Sequence, residues 1–194
     1  MILSNSRIQE ALDSGALIIE PQPSPRRPGA DRECPYQTSS VDLRLGYEVS
    51  WLKADRPVTM DLRQGKFAAL FGANSEVQQL AEGRPFYLEP RRFVLAKTLE
   101  RVELPLTREP PVLAARIEGR SSYARCGLLV HFTAPTIHAG FSGTITLEMI
   151  NMGPYAINLF PGEPICQLIV EVVDGTPFRN DSQFQSQTRP GGVI

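Results

Sequence analysis

The sequence predicts an all-β fold, a barrel or jelly roll, and three observations carry that prediction. Apolar residues recur at every second position through a series of short runs, the spacing of a strand with one buried face. Glycine or proline separates these runs, so each ends in a turn. Strand-like runs far outnumber helical stripes, with seven short strands expected from Arg84 onward. The chain has 194 residues and is 42% hydrophobic, enough to bury one core, so 1–194 reads as a single domain.

The amino-terminal segment 1–15 forms a short helix. Ser4 or Ser6 caps it, Ser6 and Gln9 have capping-box spacing, Ile8, Ala11 and Leu12 make the stripe, and Gly15 ends it. Pro21, Pro23, Pro25, Pro28 and Pro35 then forbid a helix or a central strand, which makes Glu20–Thr38 a surface loop. Its Arg26, Arg27 and Arg32 read as a solvated charge cluster. From Ser40 the pattern alternates. Val41, Leu43 and Leu45 oppose Asp42 and Arg44, which can pair on their shared face, and the run stops at Gly46. Within Lys66–Gly83 a helix is expected, capped near Asn74, with Val77, Leu80 and Ala81 as its stripe. Strands follow over Arg84–Leu88, Phe93–Leu99, Val112–Ile117, Leu128–Thr133, Thr144–Ile150, Ala156–Phe160 and Ile165–Val173. The tail Gly175–Ile194 is polar with little to bury, and is expected to be mobile.

Composition excludes several function classes. A net charge of -1 gives no electrostatic basis for holding a nucleic-acid polymer. A small anion gripped by a few local arginines stays open. Cys34, Cys126 and Cys166 are odd in number and widely spaced, which suits a reducing cytoplasm and argues against a disulfide framework or a zinc site. Neither a signal-peptide core nor an apolar run of membrane-spanning length occurs. The reading is a soluble cytoplasmic protein without a membrane partner.

Two stretches carry chemistry. In Glu118-Gly119-Arg120-Ser121-Ser122 a glycine permits close backbone approach and two hydroxyls follow a guanidinium, a composition suited to phosphate. A plain polar turn with a capping serine accounts for it equally well, and Arg125 alone would be a surface charge. In Thr144–Ile150, Ile145, Leu147 and Met149 share one face and Thr144, Thr146 and Glu148 the other. Spacing alone favours a buried ion pair at Glu148 over a general base. His131, between Val130 and Phe132, reads as a satisfied core histidine. The zinc deaminase signature is missing, since the chain has 2 histidines and no C-x-x-C. If water is activated here, a carboxylate must do it.

The blocks Ser39–Gly46, Gly119–Leu128, Val130–Ala134 and Gly140–Glu148, with the opening Met1-Ile2-Leu3-Ser4, resemble the dCTP deaminase branch of the dUTPase superfamily, in matching order over nearly the whole chain. The resemblance implies a distorted jelly-roll, dUTPase-like subunit, assembled as a homotrimer with nucleotide sites between subunits. It implies hydrolytic deamination of dCTP to dUTP and ammonia in pyrimidine deoxynucleotide metabolism. It makes Glu148 the general base, and Ser121 and Arg125 the groups that orient water and stabilise the transition state. Arg120, Ser121 and Ser122, within the run that continues through Tyr123 and Ala124, match the triphosphate grip. Thr146 and Leu147 line the base with backbone groups, and Gln187 closes over the nucleotide. Mg²⁺ is carried on the triphosphate, with no metal-ligating residues in the protein and no zinc.

The chain departs from the family pattern at three site positions. His138 stands where the superfamily has an aspartate, Phe178 near an expected tyrosine, and Gln183 in place of a lysine. That aspartate activates water on the phosphate chain in dUTPases, so its replacement argues for dUTP, not dUMP, as the product. A non-catalytic or altered-specificity nucleotide-binding trimer is the alternative that His138 and Gln183 favour, whereas Glu148, Ser121 and Arg125 favour the enzyme.

Overall fold

A computed structural model describes residues 1–30, 32–53, 59–61, 63, 67–106 and 111–178. Helix α1 (Asn5–Ser14) starts where the Ser4 hydroxyl accepts the Arg7 N–H, and it ends at Gly15 with φ 75°. Ile8 and Ala11 turn inward from it. The remaining architecture is antiparallel β, as the alternation predicts.

Twelve strands follow: β1 (Ile18–Glu20), β2 (Tyr36–Gln37), β3 (Ser40–Leu52), β4 (Ser75–Gln79), β5 (Phe86–Leu88), β6 (Phe93–Glu103), β7 (Leu113–Gly119), β8 (Leu128–Val130), β9 (Thr136–Ile137), β10 (Ser142–Asn151), β11 (Ile157–Leu159) and β12 (Pro164–Val172). Helices α2 (Phe67–Asn74) and α3 (Ser121–Ala124) interrupt them. The main sheet runs β8-β10-β6-β3-β12-β7-β9, with β1 on β6 and both β2 and β4 on β3, while β11 and β5 form a separate pair. Strand β3 joins the two halves of this sheet. Its residues Val41–Arg44 pair with β12, and Leu45, Val49 and Ser50 pair with β6. Leu43, Leu45, Ile117, Leu147, Met149 and Leu168 are the centre of the core, none more than 1% exposed.

Several sequence expectations change in three dimensions. Gly46 does not end its strand. A Cβ there would lie 3.0 Å from the Lys97 carbonyl oxygen, so the glycine permits close approach of β6 while β3 continues to Leu52. Asn74 closes helix α2 instead of opening one, and Val77, expected on a helix stripe, lies in β4, paired with Ser50 of β3. The edge of β3 offered a ladder that outweighed local helix propensity. Asp42 and Arg44 do not pair with each other. Arg44 Nε donates to Glu100 Oε1 at 2.6 Å, and its backbone N–H donates to Glu100 Oε2 at 2.8 Å. Arg26 is not merely solvated, because it bonds Asp13 at 2.8 Å and the Gln9 carbonyl at 3.0 Å, fastening the proline-rich loop to α1. Among the described residues no helix is long and apolar enough to cross a membrane.

Candidate active site

Strand β10 keeps strict alternation. Ile145, Leu147 and Met149 are at most 1% exposed, while Thr144, Thr146 and Glu148 occupy the other face. Leu147 therefore has only its backbone to offer a ligand. The Thr146 hydroxyl is buried and has no hydrogen-bond partner among the described residues. Glu148 keeps 33% of its side chain exposed, a carboxylate at the boundary between core and solvent.

Beside it, β8 pairs Val130 with Met149 and Leu129 with Ile150. The strand then stops short of the expected Thr133, because His131 takes φ 58°. This left-handed turn re-aims the imidazole. The His131 N–H donates to the Glu148 carbonyl at 2.7 Å, and Nδ1 lies 2.5 Å from Glu148 Oε2. That side-chain contact is short but poorly aligned for a hydrogen bond, and among the described residues neither Nδ1 nor Nε2, both buried, has a hydrogen-bond partner. His131 is thus buried, as the sequence indicated, but it belongs to the site and is not a satisfied core histidine.

The phosphate-type turn follows β7. Ser121, Ser122 and Ala124 of α3, together with Arg125, are exposed, and Tyr123 is half-buried. No serine caps this helix. Arg120 holds the cap position and makes no capping side-chain bond. Its side chain turns inward, 17% exposed, with Nη2 3.1 Å from Glu33 and 3.6 Å from Asp42, and Nη1 3.4 Å from the Tyr123 hydroxyl. Burial works against this charge, but Asp42, Tyr123 and Glu33 outweigh it and hold the guanidinium pKa above its ordinary value.

A cavity of about 300 Å³ is lined by residues that include Glu118, Ala124, Val130, His131, Phe132 and Pro135, whereas Arg120, Ser121, Ser122, Arg125 and Glu148 are not part of that lining. It joins α3 to the histidine that touches Glu148. A larger cleft of about 490 Å³ lies against Tyr123, Cys126, Ile157, Phe160 and Ile165. Its lining does not include His131 and the smaller cavity's does, so the smaller cavity is the candidate site; Glu148 lines neither and meets the smaller one only through His131. The return from α3 to β8 depends on two glycines. Gly127 has φ 92°, and a Cβ on it would stand 2.3 Å from the Gly153 nitrogen.

The other expected residues are more scattered. His138 is exposed after β9, and its carbonyl accepts the Phe141 N–H at 3.1 Å. Phe178, the last described residue, is 90% exposed. Gln183 and Gln187 lie outside the described residues, as does the expected mobile tail from 179 onward. His131, Glu33 and Asp42 were not assigned to the site from sequence. For Asp42 a signal existed, a charged residue inside an apolar alternation, but its partner did not show. Among the described residues no group of three or more His, Cys, Asp or Glu side chains is arranged to hold a metal ion.

Comparison with known proteins adds the identity of the family. A family model described as dCTP deaminase-like matches residues 2–173. A protein of Dictyoglomus thermophilum named dCTP deaminase, dUMP-forming, is 39% identical over 168 residues, which cover 87% of this chain and 78% of that protein. One of the same name from Methanobrevibacter smithii is 36% identical over 196 residues, covering 97% and 92%. A dCTP deaminase of Natronomonas pharaonis is 36% identical over 202 residues, covering 98% and 92%. The crystal structure of 2'-deoxycytidine 5'-triphosphate deaminase from Agrobacterium tumefaciens shares the fold, with a TM-score of 0.60 at 19% identity over 89% of this chain. This chain corresponds to 48% of that one's length. With residues 2–173 matched and relatives of this identity aligned along most of their own length, the chain belongs to the dCTP deaminase-like family.

Proposed function

We propose that this protein deaminates dCTP hydrolytically, giving dUTP and ammonia, with Glu148 as general base. The observation that carries the reading is the placement of Glu148, one-third exposed between the fully buried Leu147 and Met149 and in contact with His131, which lines a cavity that reaches α3. A water hydrogen-bonded to this carboxylate gives up a proton to it as oxygen attacks C4 of the cytosine ring. The proton passes to ring N3 and a second leaves with the amine, so that dCTP and water become dUTP and ammonia. Ser121 and Arg125 orient the water and stabilise the developing charge. Arg120, Ser121 and Ser122 hold the triphosphate, with Tyr123, Ala124, Thr146 and Leu147 against the nucleotide. Mg²⁺ would be carried on the triphosphate, where it would offset the phosphate charge.

Ser121, Ser122 and Arg125 are exposed and, within one subunit, the contacts of the Glu148 carboxylate go to His131. A site completed between subunits of a homotrimer suits this separation. His138, Phe178, Gln183 and Gln187 complete the proposed nucleotide contacts.

A second reading concerns the phosphates. The Dictyoglomus and Methanobrevibacter relatives are named dUMP-forming, which favours release of pyrophosphate as well, whereas His138 in place of an aspartate favours dUTP. Incubating the purified protein with Mg²⁺ and each cytosine nucleotide, then separating products, decides between them. Ammonia and dUTP without pyrophosphate are expected from dCTP. Pyrophosphate released in step with ammonia establishes the dUMP-forming reading, and no ammonia from any cytosine nucleotide overturns both. Light scattering at micromolar concentration tests the trimer, and a monomeric mass removes the shared site.

A further inference from the structure

Arg120 stands at the entrance of the phosphate-type turn, yet two carboxylates already share its guanidinium. They differ in kind. Asp42, on β3, has a side chain 2% exposed, and its oxygens also accept Gln167 Nε2 at 2.9 Å and Gln37 Nε2 at 3.3 Å. Glu33, in the proline-rich loop, has a side chain 71% exposed, with Oε1 3.1 Å from Arg120 Nη2. The Tyr123 ring lies under the guanidinium, its centroid 5.3 Å from Cζ.

Asp42 cannot release Arg120 without becoming a buried charge lacking its cation, which is strongly unfavourable. Glu33 can. Its ion pair is solvated on one side, and such pairs contribute little and exchange readily with water or another anion. The guanidinium fork presents five N–H donors, enough to keep one oxyanion while taking another. We propose that Glu33 is an internal stand-in for a phosphate group, holding the outer edge of Arg120 until a triphosphate displaces it, while Asp42 is the positioning residue that keeps the fork aimed at the turn. This rests on the reading of the α3 turn as the triphosphate grip. It adds what that reading lacks, an account of why the arginine is occupied and how it becomes available.

The test is calorimetric titration of the full-length protein with inorganic tripolyphosphate at fixed ionic strength, beside steady-state kinetics with dCTP. Glu33→Gln removes the competitor and is expected to bind tripolyphosphate roughly two- to fivefold more tightly, with a matching fall in KM. Asp42→Asn is expected to bind it at least about fivefold more weakly, and thermal melting of that variant reports whether it is folded. Unchanged or weaker binding by Glu33→Gln overturns the stand-in role and leaves Glu33 as a tether of its loop. A folded Asp42→Asn protein that binds as the parent does removes Asp42 from positioning. Absence of tripolyphosphate binding by the parent overturns the inference altogether. Binding with these shifts, but without ammonia release from dCTP, sustains it and instead refutes the deaminase reading.

Discussion

His131 and Glu148 are joined twice, through the His131 N–H to the Glu148 carbonyl at 2.7 Å and through Nδ1 to Oε2 at 2.5 Å. The first bond extends the β8–β10 ladder by one residue. The second is a contact at ion-pair distance without hydrogen-bond alignment, and it links the carboxylate to a residue that lines the cavity. The relationship makes His131 the neighbour that can orient the proposed general base, a glutamate otherwise one-third exposed on its strand.

Glu148→Gln preserves shape and most packing but cannot take the water's proton. The expected loss of kcat is about 10²–10⁴-fold, with the melting temperature and oligomer mass unchanged. Ammonia release by the purified variant checks it, and near-normal turnover removes Glu148 from the mechanism.

His131→Ala tests orientation separately from proton transfer. Losing one positioning contact is expected to lower kcat by about three- to tenfold, far less than the loss of the base itself. Pre-steady-state and steady-state rates with dCTP measure this. A loss equal to that of Glu148→Gln would make His131 a direct participant.

Arg44→Met leaves the Glu100 carboxylate, 1% exposed, with its backbone donor but without its cation. Breaking a fully buried pair costs about 3–5 kcal/mol; Arg44 is 38% exposed, so a destabilisation of about 2–3 kcal/mol is expected. Chemical denaturation with Glu100→Gln as the companion variant checks it, because Gln removes the charge that Arg44 balances.

The cysteines should separate by reactivity. Burial, with Glu100 and Asp42 nearby, pushes the Cys166 thiol well above the usual range, whereas Cys126 is exposed. A thiolate reagent at pH 8 is expected to label Cys126 rapidly and Cys166 only after unfolding, read by peptide mass spectrometry. The unfolded chain releases the Cys166 proton at lower pH than the folded one. The stability this group contributes is therefore complete below the usual thiol range, and it is lost as pH rises towards the folded value.

What the sequence determined by itself was local and periodic. Alternation along Thr144–Ile150 placed Glu148 opposite Ile145, Leu147 and Met149, and the structure keeps that face, because side-chain direction on a strand depends only on position parity. The end of α1 at Gly15 was legible for the same reason, while its start was narrowed to Ser4 or Ser6, of which Ser4 is the cap and Gln9 bonds the Arg26 carbonyl instead of closing a capping box. Tertiary structure alone decided the partners. Glu148 meets His131 because β8 pairs with β10 and breaks at a left-handed residue. Arg44 meets Glu100, not Asp42, because β3 leaves β12 and joins β6 midway. Arg120 turns from solvent towards Asp42 because that carboxylate, buried by the β3–β12 pairing, requires a cation. Such contacts join residues distant along the chain, and at Glu100 and Asp42 the cation was selected by the free energy of leaving a buried charge unpaired, a quantity that exists only once the strands have closed around it.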